Sequence, residues 1–292
     1  METLKINNHV ENNIADTLYI TLFMRARESK RKNNTFNDPT ACYLVSRLDY
    51  DFTKYSNAPK SSIGCIIRAN YFDKITVDFI KKNKNPIIIN LGCGLDSRFQ
   101  RVNKFVNGKA IFYEIDLPEV IALRKQLIPE SKNDIYISGS IFETDWMDNL
   151  KSKHPEGQFL FAIEGVIMYF EKTKIKQAFI NIAERFSNSE IACDIISSWL
   201  VKNSHRHDTI KNAKAQFVMS CDNESEFEKW HPNISVINSK RYADFKEMKR
   251  IGFLKFTIMK AIPAFRNSSK LVRLSINSNI KNHFYGTSSF TS

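Results

Sequence analysis

Glycine, paired cysteines and long apolar runs are all scarce in this chain. Only nine of its 292 residues are glycine, so a closely spaced pair is informative. The richest apolar stretch, residues 159–170, is interrupted by Glu164, which argues against a membrane-spanning helix. Residues 1–11 are polar and Asn-rich, so we expect no secretory signal. The five cysteines include no Cys-x-x-Cys pair, which argues against a disulfide framework or a zinc site. These absences predict a cytoplasmic protein with no membrane association and no metal.

Positive charge is in excess and is unevenly distributed. The chain has 43 Lys and Arg against 31 Asp and Glu, and residues 197–292 alone carry 16 basic and 7 acidic residues. A basic surface can attract nucleic acid, acidic lipid or an anionic substrate. An ordinary solvated surface explains the same excess, and we prefer that explanation. We therefore do not expect nucleic acid as a partner.

The middle of the chain alternates short apolar runs with helical patterns. Residues 87–89 are three isoleucines, as in a buried parallel strand. Similar runs follow at 110–115, 135–138, 159–163 and 191–196. The segments between them have apolar residues at helical spacing. This alternation predicts an α/β fold, with a parallel sheet covered by helices on both faces.

The two ends of the chain differ from this alternation. Residues 1–85 predict a helical cap that packs on a main domain formed by residues 86–292. About forty mostly polar residues, 197–240, predict a lid insertion. Two closing strands are predicted at 253–259 and 270–276, the second of them antiparallel.

The segment between the lid and the closing strands, residues 242–251, predicts a helix that ends at Gly252. The lid contains His205, His207 and Trp230. The two histidines could form a metal pair, but no third ligand is nearby, so a base on the substrate side is the better hypothesis. The chain also lacks a Gly-x-Ser-x-Gly elbow, a His-Glu-x-x-His motif and a Walker-type loop.

Two of the scarce glycines, Gly92 and Gly94, follow the first buried strand directly. Glycine there lets the backbone turn sharply and approach a ligand, next to the free N–H groups of a helix N-terminus. An ordinary tight turn is the alternative. A dinucleotide site would have a third glycine where this chain has Ser97, which disfavours an NAD oxidoreductase. A nucleoside ligand without phosphates needs no such glycine.

Acidic residues end the next strand, at Glu114 and Asp116. A carboxylate at this point can accept hydrogen bonds from both ribose hydroxyls. Capping of the helix that begins at Pro118 is the alternative for Asp116, and the two roles could be shared between the two acids.

Three further polar residues interrupt apolar surroundings. Glu164 follows an apolar strand and would face the ligand crevice, or form a structural salt bridge. Tyr169 is a candidate site residue or a buried aromatic at the rim. Arg68 lies in an apolar helical segment, where its guanidinium would bind a carboxylate or form a surface ion pair.

Together these segments resemble the leucine carboxyl methyltransferase family, in its bacterial branch of polyketide O-methyltransferases. The resemblance extends over about residues 16–170, and it is carried by the combination of motifs rather than by any one of them. The matching segments are Asn-Leu-Gly-Cys-Gly-Leu-Asp-Ser-Arg at 90–98, Tyr-Glu-Ile-Asp-Leu-Pro at 113–118, Glu-Gly-Val-Ile-Met-Tyr at 164–169, 68–73, and 25–27 with 37–39.

The resemblance implies a methyltransferase that uses S-adenosyl-L-methionine (SAM). It implies a Rossmann-like sheet that is mostly parallel with an antiparallel last strand, a helical cap and a lid. In the matching positions, Arg68 would hold the SAM carboxylate, Gly92 and Gly94 would form the glycine loop, and Asp116, with Glu114, would bind the ribose.

Further site residues follow from the same resemblance. Glu164 would lie near SAM and, with Tyr169, near the reacting atoms. Arg27 aligns with a second basic contact. Ser140 and Ile141 stand where the family has an Asp-Leu pair beside the adenine, so adenine recognition is expected to differ here.

The expected activity is methyl transfer from SAM to a carboxylate or phenolic oxygen of a small, polyketide-like molecule. A carboxylate acceptor, with a pKa of about 4, is already a nucleophile at neutral pH, whereas a phenol at about 10 needs activation. Two alternatives remain open at this point. One is carboxyl methylation of a protein C-terminus, and the other is a basic RNA- or protein-binding module that retains the fold without turnover.

Overall fold

A computed structural model describes residues 17–206, 208–209 and 215–278. Within these residues the chain forms one seven-stranded sheet in the order β3-β2-β1-β4-β5-β7-β6. Strands β1 to β5 pair in parallel, and β7 pairs antiparallel with both β5 and β6. The strands are β1 Pro86–Leu91, β2 Ile111–Asp116, β3 Asp134–Ser138, β4 Gln158–Ile163, β5 Ser189–Ile196, β6 Ile234–Arg241 and β7 Ser269–Ile276. The predicted mixed sheet with an antiparallel last strand is confirmed.

Helices cover both faces of this sheet. The α-helices in the described part of the chain are α1 Leu18–Ser29, α2 Pro39–Arg47, α3 Pro59–Lys82, α4 Arg98–Asn103, α5 Pro118–Leu127, α6 Asp145–Lys153, α7 Lys172–Arg185, α8 Ser198–Lys202, α9 Phe253–Ala261 and α10 Pro263–Arg266. None of the described helices is both long and apolar enough to cross a membrane.

Strand β1 shows why the sheet is buried on both sides. All six of its residues are buried. Because successive side chains on a strand point to opposite faces, Ile87 and Ile89 join the core beneath α6 and α7, while Ile88 joins the core beneath α3. A run of three isoleucines satisfies both cores, so this strand lies at the centre of the sheet.

The N-terminal helices meet the sheet in two ways. Helix α3 lies across one sheet face, where Ile67, Phe72 and Phe79 share a core with Ile88. Helices α1 and α2 share a second core with Leu95 of the loop after β1 and with α5. Helix α3 therefore belongs to the core of the sheet. The domain boundary at residue 85 stays a prediction.

The predictions for the C-terminal third need correction. Residues 253–259, predicted as a strand, lie in helix α9, where Phe253 and Leu254 are 86% and 70% exposed. Their dense apolar sequence resembles that of a buried strand, although these side chains lie on the surface. The outer neighbour of β7 is β6, not the predicted strand at 253–259. The residues of β6 are partly exposed and give only a weak apolar signal.

Two further corrections follow from the position of β6. It occupies the end of the predicted lid at 197–240, so the segment outside the sheet ends before Ile234. The predicted helix at 242–251 consists of two short 3-10 turns, Tyr242–Asp244 and Lys246–Ile251.

Candidate active site

A cavity of about 350 Å³ opens at the carboxyl ends of β1, β2 and β4. Helix α1 also contributes to its wall, through Leu18, Thr21 and Arg25. Such a volume suits a small-molecule ligand. Seven of the predicted site residues line this cavity together: Arg68, Gly92, Gly94, Asp116, Ser140, Ile141 and Glu164.

The loop after β1 requires glycine for two separate reasons. Gly92 and Gly94 have φ values of +66° and +51°, which side chains rarely adopt. A Cβ atom on Gly92 would also come within 2.5 Å of Cγ2 of Val166. The N–H of Gly92 donates to the carbonyl of Ile115 at 2.8 Å, which ties the loop to β2. The glycines therefore let the backbone itself form the floor of the cavity.

Alanine substitutions at Gly92 and Gly108 separate the backbone conformation from the contact with Val166. Gly108 is a matched control because its φ is +68° and a Cβ added there would have no neighbour closer than 3.7 Å. Both Gly92→Ala and Gly108→Ala should lose roughly 1–2 kcal/mol of unfolding free energy from the left-handed backbone, and Gly92→Ala should lose more because its Cβ would also meet Val166. Only Gly92→Ala should also weaken SAM binding. Chemical denaturation and calorimetric titration measure the two effects. Equal SAM affinity in the two variants would contradict the assigned role of the loop.

Asp116 supports the glycine loop and also faces the cavity. Its Oδ2 accepts from the N–H of Gly94 at 2.7 Å, and its Oδ1 accepts from the N–H of Leu117 at 2.8 Å. Burial raises the pKa of Asp116, although these two N–H groups lower it in part. Each carboxylate oxygen has further lone pairs, so Asp116 can hold the loop and still accept ligand hydroxyls.

The loop after β3 forms a firm side wall. The indole N–H of Trp146 donates to the carbonyl of Ser140 at 2.9 Å, and Ser140 Oγ accepts from the N–H of Phe142 at 3.3 Å. Ile141 is buried, and Phe142 packs edge-to-face on Phe170 with ring centroids 4.9 Å apart. This wall presents apolar and aromatic surface to the cavity.

Arg68 is held between two carboxylates at the other end of the cavity. Its Nε donates to Glu164 at 3.0 Å and its Nη1 to Asp194 at 2.9 Å. Glu164 also accepts a short hydrogen bond from the buried Arg98. Burial lowers the pKa of Arg68, but Asp194 and Glu164 raise it more, so the net shift is well above the ordinary value. Arg68 is therefore ion-paired, but the pairs are largely buried and lie at the cavity rather than on the surface, with 14% of its side chain exposed.

A second ionic cluster joins the N-terminal helices to the glycine loop. Asp38, the N-cap of α2, accepts from Arg25 and from Arg101, each at 3.0 Å, and from Ser97 Oγ at 2.7 Å. Burial raises the pKa of Asp38, but Arg101 and Arg25 lower it more, and the pKa of Asp96 is likewise held far below its usual range by the neighbouring arginines. Ser97, which departs from the dinucleotide motif, thus anchors α2.

Two predicted cofactor contacts lie outside the cavity. Arg27 is exposed and donates to the carbonyl of Ser56 at 2.6 Å. Because residues two apart on a helix face different directions, Arg25 lines the cavity instead.

Glu114 is the second of these corrections. It is fully buried beneath the loop and accepts from Asn90 Nδ2 at 2.8 Å, with Arg124 Nη2 at 3.5 Å. Burial raises the pKa of Glu114. It shares a strand face with Asp116 but lies two residues deeper in the sheet, so it does not line the cavity.

Tyr169 lies beside the cavity rather than on its wall. Its ring packs against Phe217 with centroids 5.6 Å apart, and its hydroxyl bonds to Thr17, which does line the cavity. Burial raises the pKa of Tyr169 to about 12. The phenol is therefore protonated near neutral pH, the form in which it donates a hydrogen bond, and a catalytic role for Tyr169 stays a prediction.

The lid histidines are only partly covered by the structure. His205 is exposed in a short 3-10 turn, and His207 lies outside the described residues. No group of three His, Cys, Asp or Glu within the described ranges could hold a metal ion.

Sequence reasoning assigned no site role to six residues of the two ionic clusters: Arg25, Asp38, Asp96, Arg98, Arg101 and Asp194. Asp194 did leave a signal, because it is a single acid inside the otherwise apolar end of β5. An uncompensated charge there would cost several kcal/mol, so a basic partner could have been expected.

Comparisons with known proteins agree with this geometry. The model of the leucine carboxyl methyltransferase family matches residues 19–183. The tetracenomycin polyketide synthesis O-methyltransferase TcmP of Streptomyces glaucescens is 25% identical over 267 residues, which cover 89% of this chain and 96% of TcmP. The SAM-dependent methyltransferase dpfgK of Gibberella zeae is 27% identical over 240 residues, covering 75% of this chain and 79% of dpfgK.

Solved structures share the fold. A candidate methyltransferase from Thermobifida fusca superposes with a TM-score of 0.59 at 9% identity, covering 89% of this chain and 94% of its own. A DUF574 family protein from Streptomyces avermitilis superposes with a TM-score of 0.55 at 8% identity, covering 90% of this chain and 99% of its own.

The sheet order, the glycine loop and these relatives define a SAM-dependent methyltransferase. The chain belongs to the leucine carboxyl methyltransferase family, whose model matches more than half of it. The predicted family, enzyme class and cofactor are confirmed.

Proposed function

We propose that this enzyme transfers the methyl group of SAM to an oxygen of a small, polyketide-like acceptor. One observation carries the orientation of the donor. Asp116 on β2, the glycine loop on β1 and Arg68 beside β4 follow one another along the cavity in the order of the strands. That order suits a molecule with a nucleoside at one end and an amino-acid group at the other.

The residues of the cavity fit the parts of SAM. The ribose hydroxyls would donate to Asp116, and the carboxylate would accept from Arg68, to which guanidinium geometry is suited. Gly92 and Val166 both line the cavity and pack so closely that a Cβ on Gly92 would clash with Val166. Ser140 and Ile141 would border the adenine, and the buried side chain of Ile141 offers the ring an apolar contact.

The chain's own contribution to the chemistry is orientation and exclusion of water. SAM supplies a methyl group that its sulfonium already activates. Both carboxylate oxygens of Glu164 are engaged by arginines, and Tyr169 stays protonated, so neither is available as a base. We assign Glu164 to the donor side and Tyr169 to a hydrogen bond through Thr17.

Because neither Glu164 nor Tyr169 serves as a base, we favour an acceptor that is already anionic. A carboxylate is deprotonated at neutral pH, and an acidic phenol can be, whereas an ordinary phenol with a pKa of about 10 is not. The name of TcmP, a polyketide O-methyltransferase, supports the same acceptor class. The five free cysteines fit a reducing compartment, which supports the cytoplasm.

Mass spectrometry tests the proposal directly. Purified enzyme and deuterated-methyl SAM would be incubated with small-molecule extracts and, separately, with peptides that carry free C-termini. We expect a labelled methyl ester or methyl ether in the extract alone. Labelled peptide C-termini would instead show that the acceptor is a protein.

The lid, residues 197–233, is the segment we propose to contact the acceptor, because it leaves β5 at the carboxyl edge of the sheet. Replacing His205 and His207 together by alanine should leave SAM affinity unchanged, since the donor contacts lie elsewhere. The same variant should raise KM for the identified acceptor or lower kcat. Wild-type kinetics would remove both histidines from the acceptor site, and a loss of SAM affinity would assign the segment to the donor.

A further inference from the structure

Asp194 lies next to the cavity, and neither the sequence motifs nor the proposed function provides a role for it. It lies at the end of β5, where Cys193 pairs with Ile163 of β4. Asp194 is therefore the neighbour of Glu164, which follows Ile163 on the adjacent strand. The two carboxylates approach Arg68 from adjacent strand ends.

Asp194 binds both the guanidinium of Arg68 and the Gly165 backbone against which this guanidinium packs. Oδ2 accepts from Arg68 Nη1 at 2.9 Å, and Oδ1 accepts from the N–H of Gly165 at 2.6 Å. A Cβ on Gly165 would lie 2.8 Å from Nη1 and Nη2 of Arg68, so the guanidinium rests directly on a glycine backbone with φ +70°. The carboxylate of Asp194 thus fixes both the guanidinium of Arg68 and the Gly165 backbone that it packs on.

The arrangement leaves one nitrogen of Arg68 for a ligand. Nε is bound to Glu164 and Nη1 to Asp194, whereas Nη2 has no hydrogen-bond partner among the residues that the structure describes. An arginine side chain loses considerable rotamer entropy when it is ordered. Because two protein carboxylates already order Arg68, a ligand carboxylate would meet a preorganised donor.

Glu164 alone would not give this orientation. It also binds Arg98, so it is shared between two guanidinium groups. With only Nε fixed, the terminal nitrogens of Arg68 could turn about the side-chain torsions. The bond from Nη1 to Asp194 sets the direction in which Nη2 points.

We propose that Asp194 is a positioning residue that directs Arg68 toward the carboxylate of the methyl donor. It would thereby determine how strongly the enzyme prefers a complete amino-acid donor over a nucleoside without that group. This inference rests on the proposed function, in which Arg68 contacts the donor carboxylate.

The test compares two ligands on full-length variants. SAM carries the amino-acid group, whereas 5′-methylthioadenosine retains the nucleoside and lacks that group. Asp194→Asn should raise the Kd for SAM about tenfold, as expected for loss of a charge-assisted hydrogen bond, and should change the Kd for 5′-methylthioadenosine less than about twofold. Calorimetric titration gives both constants, and thermal unfolding checks the fold.

A matched control is available on the same strand. Glu190 on β5 is paired with Arg273, away from the cavity. Glu190→Gln removes a carboxylate from a comparable ion pair and should leave both affinities unchanged. If Asp194→Asn does not fold, Asp194→Glu keeps the charge but displaces it by one methylene, and it should still lose SAM affinity selectively.

The possible outcomes separate the inference from the proposed function. Unchanged SAM affinity in Asp194→Asn, or an equal loss for both ligands, overturns the positioning role. Arg68→Lys is measured in parallel. If Arg68→Lys loses SAM selectively while Asp194→Asn does not, only the inference fails. If Arg68→Lys binds both ligands normally, the proposed role of Arg68 fails as well.

Discussion

Replacing Arg68 by alanine is expected to raise the Kd for SAM by about 10- to 100-fold, while the Kd for 5′-methylthioadenosine changes by less than about threefold. The guanidinium is the cationic group beside β4, where the donor's amino-acid end would lie. Its loss also leaves Glu164 and Asp194 without their shared partner. Breaking a buried ion pair in this way typically costs about 3–5 kcal/mol of stability, so binding must be measured well below the melting temperature of the variant.

Arg27 offers a matched control for this measurement. The family resemblance implies a basic SAM contact for it, but in the structure it is exposed and its side chain donates to the carbonyl of Ser56. Arg27→Ala should therefore bind SAM like the wild type. A loss of SAM affinity in Arg27→Ala, or equal losses of both ligands in Arg68→Ala, would contradict the site as described.

Replacing Asp116 by alanine is expected to weaken SAM and 5′-methylthioadenosine alike, each by about 10- to 100-fold. Both ligands carry the ribose, so an acid that binds ribose hydroxyls cannot distinguish them. The change also removes the acceptor for the N–H groups of Gly94 and Leu117, which loosens the glycine loop. Asp116→Asn keeps an acceptor oxygen and should lose less.

Glu119 provides the control for Asp116. It lies three residues further on, exposed in the first turn of α5, so its removal changes the local charge without touching the cavity. Glu119→Ala should leave both affinities intact. If Asp116→Ala is folded and binds both ligands normally, Asp116 acts only as a support for the loop. Together with Arg68→Ala, the two ligand profiles assign the two ends of the donor independently.

Residues that act through the backbone were predicted well from the sequence. Gly92 and Gly94 follow an unbroken buried strand in a chain with few glycines, and a turn that needs positive φ leaves few alternatives. The helix α5 begins at Pro118 as predicted, because proline suits a first turn. These signals are local, and local rules are sufficient to interpret them.

Residues that act through side-chain direction were predicted less well. Arg25 and Arg27 are two positions apart and chemically identical, and the turn of α1 decides which one faces the cavity. Glu114 and Asp116 share a strand face, and only the position of the sheet edge decides which one is accessible. The strand β6 was missed because an edge strand packs on few neighbours and has a correspondingly weak apolar pattern.

The sequence by itself determined the alternation of strands and helices from β1 to β5, the glycine loop and the family, because each depends on motifs of near neighbours along the chain. Only the tertiary structure decided which charges meet. Arg68, Glu164 and Asp194 come from α3 and from the ends of β4 and β5, separated by as many as 126 positions along the chain. Ion pairing depends on distance in space, and strand order brings these ends together. The direction of Arg68, and with it the proposed amino-acid end of the donor site, therefore depends on the folded sheet.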